Sequence, residues 1–523
     1  MRAPKRMVLR AALLAAAVGV PAAGPGAETL HAGGVITGVL ARDRDGDGLA
    51  EIWAAYHDGG QRFIAVFRGA ESYARDPEAV VPIDPQAVLY AVGDYGPTPG
   101  LELLLLSRSS GVLYPLAPSE RARALEKILA TDLFFGMPSS TEIPSWLSRS
   151  RLDVDGDGRD DLLLPEKSRL RILLAGAPVG GGEGKKNGNG SGSGEGKGEG
   201  KKWGKEITLP VSYYLLGDTD EKRIQVALED FFEEDKTPPP LLETTAAFPF
   251  PALADFDGDG RLDVIAKQPG LVLEVFRQEA PGVFPQAASH ALPIPWSEDA
   301  RSLQLTDLNG DRRLDLVACE ILLKDLATEV QVFIQDAAQE SLGFARPRQA
   351  LRVRGFFRRP DVADADGDGR LDLLVSAYRL DLLEQVKKAT VDEIEITHEI
   401  FRGTSGGDAG GVFERRPGFQ ERFLLKTRDL ESSREPRPFL HAGRELTGDG
   451  RTDILFIDGG GWLRLHRSQP GKLAYEEDAA FRRRVESYLD VEFADLDRQA
   501  GDELILRYER RLEVLRPAGA RRR

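Results

Sequence analysis

The sequence predicts an all-β fold, a single β-propeller of eight four-stranded antiparallel blades. Three observations carry that prediction. A nine-residue, oxygen-rich loop recurs along the 523 residues. Each copy runs straight into a short apolar segment of leucine and β-branched residues, which reads as a buried strand. The copies start at 43, 94, 153, 255, 307, 364, 445 and 495, and the shorter intervals between them are 50 to 59 residues. That leaves room for four strands of about 5–6 residues with their turns. A fixed period of this size is that of a propeller or a solenoid.

Five copies are complete. They are Asp43 to Glu51 (DRDGDGLAE), Asp153 to Asp161 (DVDGDGRDD), Asp255 to Asp263 (DFDGDGRLD), Asp307 to Asp315 (DLNGDRRLD) and Asp364 to Asp372 (DADGDGRLD). Positions 1, 3, 5 and 9 carry oxygen side chains. The candidate ligands are Asp43, Asp45, Asp47 and Glu51; Asp153, Asp155, Asp157 and Asp161; Asp255, Asp257, Asp259 and Asp263; Asp307, Asn309, Asp311 and Asp315; Asp364, Asp366, Asp368 and Asp372. Ligands that are all oxygen suit Ca²⁺, which accepts irregular coordination by six to eight oxygens. The position-7 carbonyl is the expected fifth ligand, and the position-9 carboxylate is placed to bind through both oxygens. Four copies hold glycine at positions 4 and 6, where the backbone must turn sharply; the copy at Asp307 keeps only Gly310.

An EF-hand loop needs Glu at position 12. Here that position is Ala54, Leu164, Ala266, Ala318 or Val375, already inside the next strand. The unit is therefore strand, loop, strand. Three weaker copies share the frame: Glu445 to Asp453, Asp495 to Glu503 and Asp94 to Glu102. The first two are candidate weak sites. The third keeps only Asp94, Thr98 and Glu102 and reads as a turn without metal.

One blade can be traced after Asp255, through Leu262–Ala266, Val272–Arg277 and Ala287–Leu292. The last blade is one strand short: Val491–Ala494, Leu504–Tyr508 and Leu512–Leu515 end the strand signals. A strand near Thr29–Gly33 is free to complete it, and closing the ring this way removes exposed edges. Seven blades remain the alternative, should one weak copy be decoration only.

The repeated strand–DxDGDGxxD–strand unit resembles the FG-GAP/VCBS repeats of integrin α-subunit-like β-propellers, over about residues 30 to 517. The resemblance implies a Ca²⁺ ion in each complete loop, between the first and second strands of a blade. It names no partner, because propellers host unrelated functions.

Residues 1–27 read as a signal peptide, with Arg2, Lys5, Arg6 and Arg10 before an apolar stretch from Leu9 to Val20. Ala22 or Ala27 is the candidate cleavage position. The expected propeller spans 28–517, followed by a basic tail at 518–523. Residues 179–205 are rich in Gly, Lys and Glu and read as a disordered insertion within a blade. Residues 221–235 have helical apolar spacing, and 384–411 suggests a lengthened hairpin. No second apolar run is long enough to span a membrane. Cys319 is the only cysteine, sits in a strand run and reads as a buried thiol.

The formal net charge is −15. The ligand positions of the five loops alone hold nineteen carboxylates, so five bound Ca²⁺ would leave a net charge of about −5. Acidity is thus a metal signature, and nucleic-acid binding finds no support. Without an ion the crowded carboxylates repel one another. At ~1 mM calcium and a Kd of ~0.1 mM, each site adds roughly 1.4 kcal/mol. Five independent sites would add about 7 kcal/mol, comparable to the stability of a whole domain. Structural calcium therefore suffices.

The expected function is that of an exported, periplasmic or extracellular, non-enzymatic module binding a protein or a polysaccharide. The six histidines (His31, His57, His290, His398, His441, His466) share no metal-ligand spacing. The alternative is a carbohydrate-active propeller enzyme such as a polysaccharide lyase, with His57 beside Tyr56, or His441 near Arg444, as the nearest candidate pairs. A multivalent lectin is a third reading. It would repeat one aromatic after each loop, whereas only Trp53 is aromatic there.

Overall fold

The computed structural model describes residues 27–44, 46–95, 101–114, 126–133, 152–166, 169–175, 203–210, 252–268, 272–293, 300–335, 344, 346–357, 359–379, 393–404, 411–426, 439–469, 472–485 and 490–517. It is an eight-bladed antiparallel propeller. Blade 1 holds β2 (Val35–Arg42), β3 (Glu51–Asp58), β4 (Gln61–Phe67) and β5 (Ala79–Pro82). Blade 2 holds β6 (Ala87–Gly93), β7 (Glu102–Ser107), β8 (Ser110–Tyr114) and β9 (Glu126–Ala130). In blade 3 the described strands are β10 (Leu162–Glu166), β11 (Arg169–Ala175) and β12 (Trp203–Leu209). Blade 4 holds β13 (Ala252–Ala254), β14 (Asp263–Gln268), β15 (Val272–Phe276) and β16 (His290–Pro293).

Blade 5 holds β17 (Ala300–Thr306), β18 (Asp315–Leu322), β19 (Ala327–Phe333) and β20 (Gln349–Arg354). Blade 6 holds β21 (Asp361–Ala363), β22 (Asp372–Arg379), β23 (Glu393–Phe401) and β24 (Phe419–Lys426). Blade 7 holds β25 (Leu440–Arg444), β26 (Asp453–Ile457), β27 (Trp462–Gln469) and β28 (Lys472–Tyr475), with β29 (Phe481–Arg484) also paired to β27. Blade 8 holds β30 (Asp490–Ala494), β31 (Glu503–Arg507) and β32 (Leu512–Leu515).

The fourth strand of blade 8 is β1 (Ala27–Leu30), which pairs antiparallel with β32 from Ala27↔Leu515 to Leu30↔Leu512. The expected closure by both ends of the chain is therefore present. The closing strand lies at Ala27–Leu30, ahead of the expected Thr29–Gly33, so Ala27 belongs to the strand and not to the segment before it.

The second strand of each blade is buried on both faces. Glu51–Tyr56 and Asp453–Ile457 are buried throughout. This explains the unbroken apolar runs after the loops, since alternation is lost when both faces are covered. The core is divided among the interfaces between blades. Ile52, Ala54 and Phe67 of blade 1 pack with Leu496, Ile505 and Leu512 of blade 8, while Trp53, Ile64 and Val66 pack with Tyr90, Leu103 and Leu105 of blade 2. Successive residues of one strand thus serve opposite neighbours. Cys319 is fully buried between blades 5 and 6, and burial pushes its thiol up to about 12.

Two expectations shift. Residues 203–205 belong to β12, with Trp203 opposite Ala175, so the end of the expected insertion lies inside a blade. Within 384–411, residues 393–401 form the third strand of blade 6, with Ile394, Ile396 and His398 buried along β23. The proposed signal peptide before residue 27, the rest of the insertion, the helix at 221–235 and the tail at 518–523 lie outside the described residues. No described helix is long and apolar enough to cross a membrane.

Candidate metal centres

In every blade but the third the loop lies between the first and second strands, and in blade 3 it runs into β10, the first described strand, so the loops gather at one end of the propeller. One plan shapes them. In the blade 4 loop, Asp255 accepts hydrogen bonds from Gly258 N (2.8 Å, Oδ1) and Gly260 N (2.8 Å, Oδ2). The two glycines have φ of 81° and 87°. A side chain is strained in that region, and this turn aims the N–H groups at position 1. The plan survives loss of a glycine. In the blade 5 loop, Arg312 takes φ 69° and still donates to Asp307 Oδ2 at 2.8 Å.

Position 9 is set apart from the other ligand positions. Asp161, Asp263, Asp315 and Asp372 are each 0% exposed. One oxygen of each accepts the N–H of loop position 2: Val154 (2.6 Å), Phe256 (3.0 Å), Leu308 (2.9 Å) and Ala365 (2.9 Å). The other accepts an N–H at or just past the end of the third strand: Ala175 (2.7 Å), Gln278 (2.8 Å), Gln335 (2.8 Å) and Gly403 (2.7 Å). The carboxylate therefore staples the loop to its blade with both oxygens. Burial pushes Asp161, Asp263 and Asp372 up to about 6, and Asp315 up to about 7. The weak loops keep part of this staple. Glu102 accepts from Tyr95 N (3.0 Å), Asp453 from Leu446 N (2.8 Å) and Glu503 from Leu496 N (2.8 Å).

Carboxylate oxygens lie within 4.8 Å of one another in Asp153/Asp155/Asp161, Asp255/Asp257/Asp259, Asp364/Asp366/Asp372 and Asp495/Asp497/Glu503. At the blade 5 loop the middle ligand is an amide, and Asn309 Nδ2 donates to Asp311 at 3.1 Å. In blade 1, Asp43, Asp47 and Glu51 hold the loop backbone, and Asp45 lies outside the described residues. Arginines face several cages. Arg277 pairs with Asp257, Arg402 lies 2.9 Å from both Asp366 and Asp368, and Arg467 lies 3.1 Å from Asp449. All three come from the end of a third strand.

A hard cation fits this donor set. Asp153 Oδ1 is buried and has no hydrogen-bond partner. A buried carboxylate oxygen without a donor is costly unless a positive charge faces it.

Loops of neighbouring blades are also tied to one another, which the sequence reading did not anticipate. Leu101 N donates to Arg44 O (3.0 Å), Ala50 N to Leu496 O (3.0 Å) and Asp502 N to Glu445 O (2.9 Å). Thr452 Oγ1 donates to Ala365 O (3.2 Å), and Asp94 N to Asp160 Oδ2 (3.1 Å). Asp160 also takes the Arg42 guanidinium at 3.2 Å. Where blade 3 meets 4 and 4 meets 5, glutamine side chains make the tie. Gln278 Nε2 donates to Val154 O (2.9 Å) and Gln335 Nε2 to Phe256 O (3.1 Å). The available signal was the repeated Val-Phe-x-Gln at 275–278 and 332–335.

Residues 255–318 match an FG-GAP-like repeat. The chain is a β-propeller that carries an FG-GAP-like repeat. The matched stretch covers the blade 4 loop and the strands after it in that blade, then β17, the blade 5 loop and the start of β18. Among solved structures, this propeller is similar to one titled "Crystal structure of BBS1N in complex with ARL6DN, soaked with mercury". The identity is 8%, the TM-score 0.32, and 92% of this chain and 93% of that one are covered. A comparison with curated proteins finds no match.

In the two histidine pairs of the enzyme alternative, Tyr56 and His441 are held in aromatic stacks. Tyr56 is buried and stacks on Phe63 at 5.1 Å, at the end of β3 away from the loops. His441, on the first strand of blade 7, stacks on Phe493 of blade 8 at 4.2 Å, and Arg444 lies over the same ring. Burial pushes His441 down to about 4. His398 is enclosed between Phe423 and Phe456, bonded to Ser376 Oγ at 2.9 Å and pushed down to about 4 by burial.

Proposed function

We propose that this propeller is an exported, calcium-stabilised, non-enzymatic module that binds a protein or a polysaccharide. The observation that carries the calcium reading is the shared plan of the loops: clustered carboxylates at one end of a closed ring, with a buried oxygen of Asp153 left without a donor. Ca²⁺ would be held by the side-chain oxygens at positions 1, 3, 5 and 9 of the five complete loops. Its contribution is positive charge and oxygen coordination, and no chemical step is assigned to it. The position-9 staple restricts that residue, because both of its oxygens already accept N–H groups; it is expected to offer one lone pair instead of a bidentate grip. The basic and apolar pattern of residues 2–20 supports export. A rigid ring that presents loops on two faces supports a docking role, as in other propellers.

Thermal melting in EDTA and in ~2 mM Ca²⁺ tests the reading. Linkage predicts a higher melting temperature with calcium, and equal temperatures would overturn it. A pull-down from the exported fraction, with and without chelator, tests binding. Depolymerisation of a polysaccharide by the purified protein would overturn the non-enzymatic part.

A further inference from the structure

The loops of blades 3, 4 and 5 are joined by an unbroken line of hydrogen bonds. Asp161 accepts from Val154 N, and Val154 O accepts from Gln278 Nε2. Gln278 N donates to Asp263, which also accepts from Phe256 N. Phe256 O accepts from Gln335 Nε2, Gln335 N donates to Asp315, and Asp315 accepts from Leu308 N. Three position-9 carboxylates are thus connected through two glutamines. Both glutamines are 1% exposed, so water cannot replace these bonds. Each amide also holds its own loop, Gln278 at Leu262 O (2.7 Å) and Gln335 at Leu314 O (3.3 Å). Gln278 Oε1 is fixed in turn by Gly282 N at 2.9 Å.

We propose that Gln278 and Gln335 are positioning residues that couple these three cation loops, so that filling one raises the affinity of the next. The inference rests on the calcium reading above. An ion that orders a loop fixes its position-2 peptide, whose carbonyl seats the glutamine of the next blade. The backbone N–H of that glutamine orients the next position-9 carboxylate. The cost of ordering the second loop is then partly met by the first, and by linkage the effect is reciprocal. Elsewhere loops are tied by backbone N–H groups, by Thr452, or by arginine side chains such as Arg498 on Asp43 at 3.2 Å. Only at these two junctions, among the described residues, does one residue bond the neighbouring loop with its side chain and its own position-9 carboxylate with its backbone.

The test is a double-mutant cycle read at one loop. Hydrogen–deuterium exchange of residues 255–263 is followed against calcium concentration. Asp157→Ala empties the blade 3 loop without touching blade 4. With Gln278 present it should raise the calcium midpoint of the blade 4 loop on the order of fivefold. In a Gln278→Met background the same substitution should leave that midpoint unchanged. A purely structural Gln278 would lower stability but leave the Asp157→Ala shift intact, and an equal shift in both backgrounds overturns the proposal. Should Gln278→Met not fold, the cycle is run one junction on, with Gln335→Met, Asp259→Ala and exchange at residues 307–315. If calcium protects no loop in the unmodified protein, the calcium reading itself fails, which differs from ions that bind without coupling.

Discussion

Asp259 and Asp263 belong to one loop and have different tasks. Asp259 points outward and pairs with Arg261 and Arg277. Asp263 is buried and holds two backbone N–H groups. Asp259→Ala should cost on the order of 1–3 kcal/mol in calcium, through the lost ion and residual repulsion, and little in chelator. Asp263→Ala leaves two buried donors unsatisfied and should cost ~2–4 kcal/mol even in chelator, with the share of the lost ion added in calcium. Urea denaturation in both conditions separates the two, and an equal cost in chelator would refute the distinction. The same burial gives a pH signature. Asp161, Asp263, Asp372 and Asp453 are pushed up to about 6, and Asp315 and Glu503 up to about 7. Without an ion, a raised carboxyl pKa stabilises the fold at low pH, and that contribution is lost as pH rises through 6–7. Calcium needs the ionised form. The gap in melting temperature between calcium and chelator should therefore be wider near about pH 7.5 than near about pH 5.5. His398 and His441, pushed down to about 4, lose stability as pH falls below their ordinary value. They do so with or without calcium, so they cancel from the gap. A gap independent of pH would contradict this account.

At the scale of elements, β12 sets the limit of the removable segment in blade 3. Deleting residues 179–202 with a short Gly-Ser join should leave melting unchanged. Deleting 179–205 removes Trp203, which pairs with Ala175, and Lys205, whose Nζ donates to Gly282 O at 2.7 Å. The longer deletion should lower the melting temperature measurably; equal melting of both would show that these pairs contribute nothing. Most strands of blades 4 and 8 could be read from sequence within a few residues, because a strand buried on both faces leaves an unbroken apolar run. The loops were legible because oxygen side chains and glycines recur at fixed offsets. What escaped was set by neighbours in space. The repeated Val-Phe-x-Gln marks Gln278 but not its role as a bridge to Val154, since that partner lies 124 residues away. Arg312 hides a left-handed turn that glycine would have announced. The strand β29 is short and arginine-rich, and is held by Arg483 on Glu513 (2.8 Å) and Arg482 over Trp462. The first partner is visible only once blades 7 and 8 are side by side, the second only once β29 pairs with β27.

For the whole molecule, the pairing of β1 with β32 determines whether the ring is closed. Arg516 adds an ion pair to Glu28 at 2.5 Å, and Tyr73 N donates to the same carboxylate at 2.9 Å. Removing residues 27–30 would expose the unpaired edge of β32, which is a template for pairing with another chain. The shortened protein should melt lower and associate with itself in size-exclusion chromatography with light scattering. A monomer of unchanged stability would show that three strands suffice for blade 8. The closing pair also imposes an order in time. Glu28 and Arg516 are 488 residues apart in the chain. Contacts of such long range form slowly, since the entropy of closing the loop is lost before any contact rewards it. The first strand made is thus the last to find its partner. Until the final hairpin exists, two sheet edges stay open, and the interval before the seam shuts is when this protein is most exposed to aggregation.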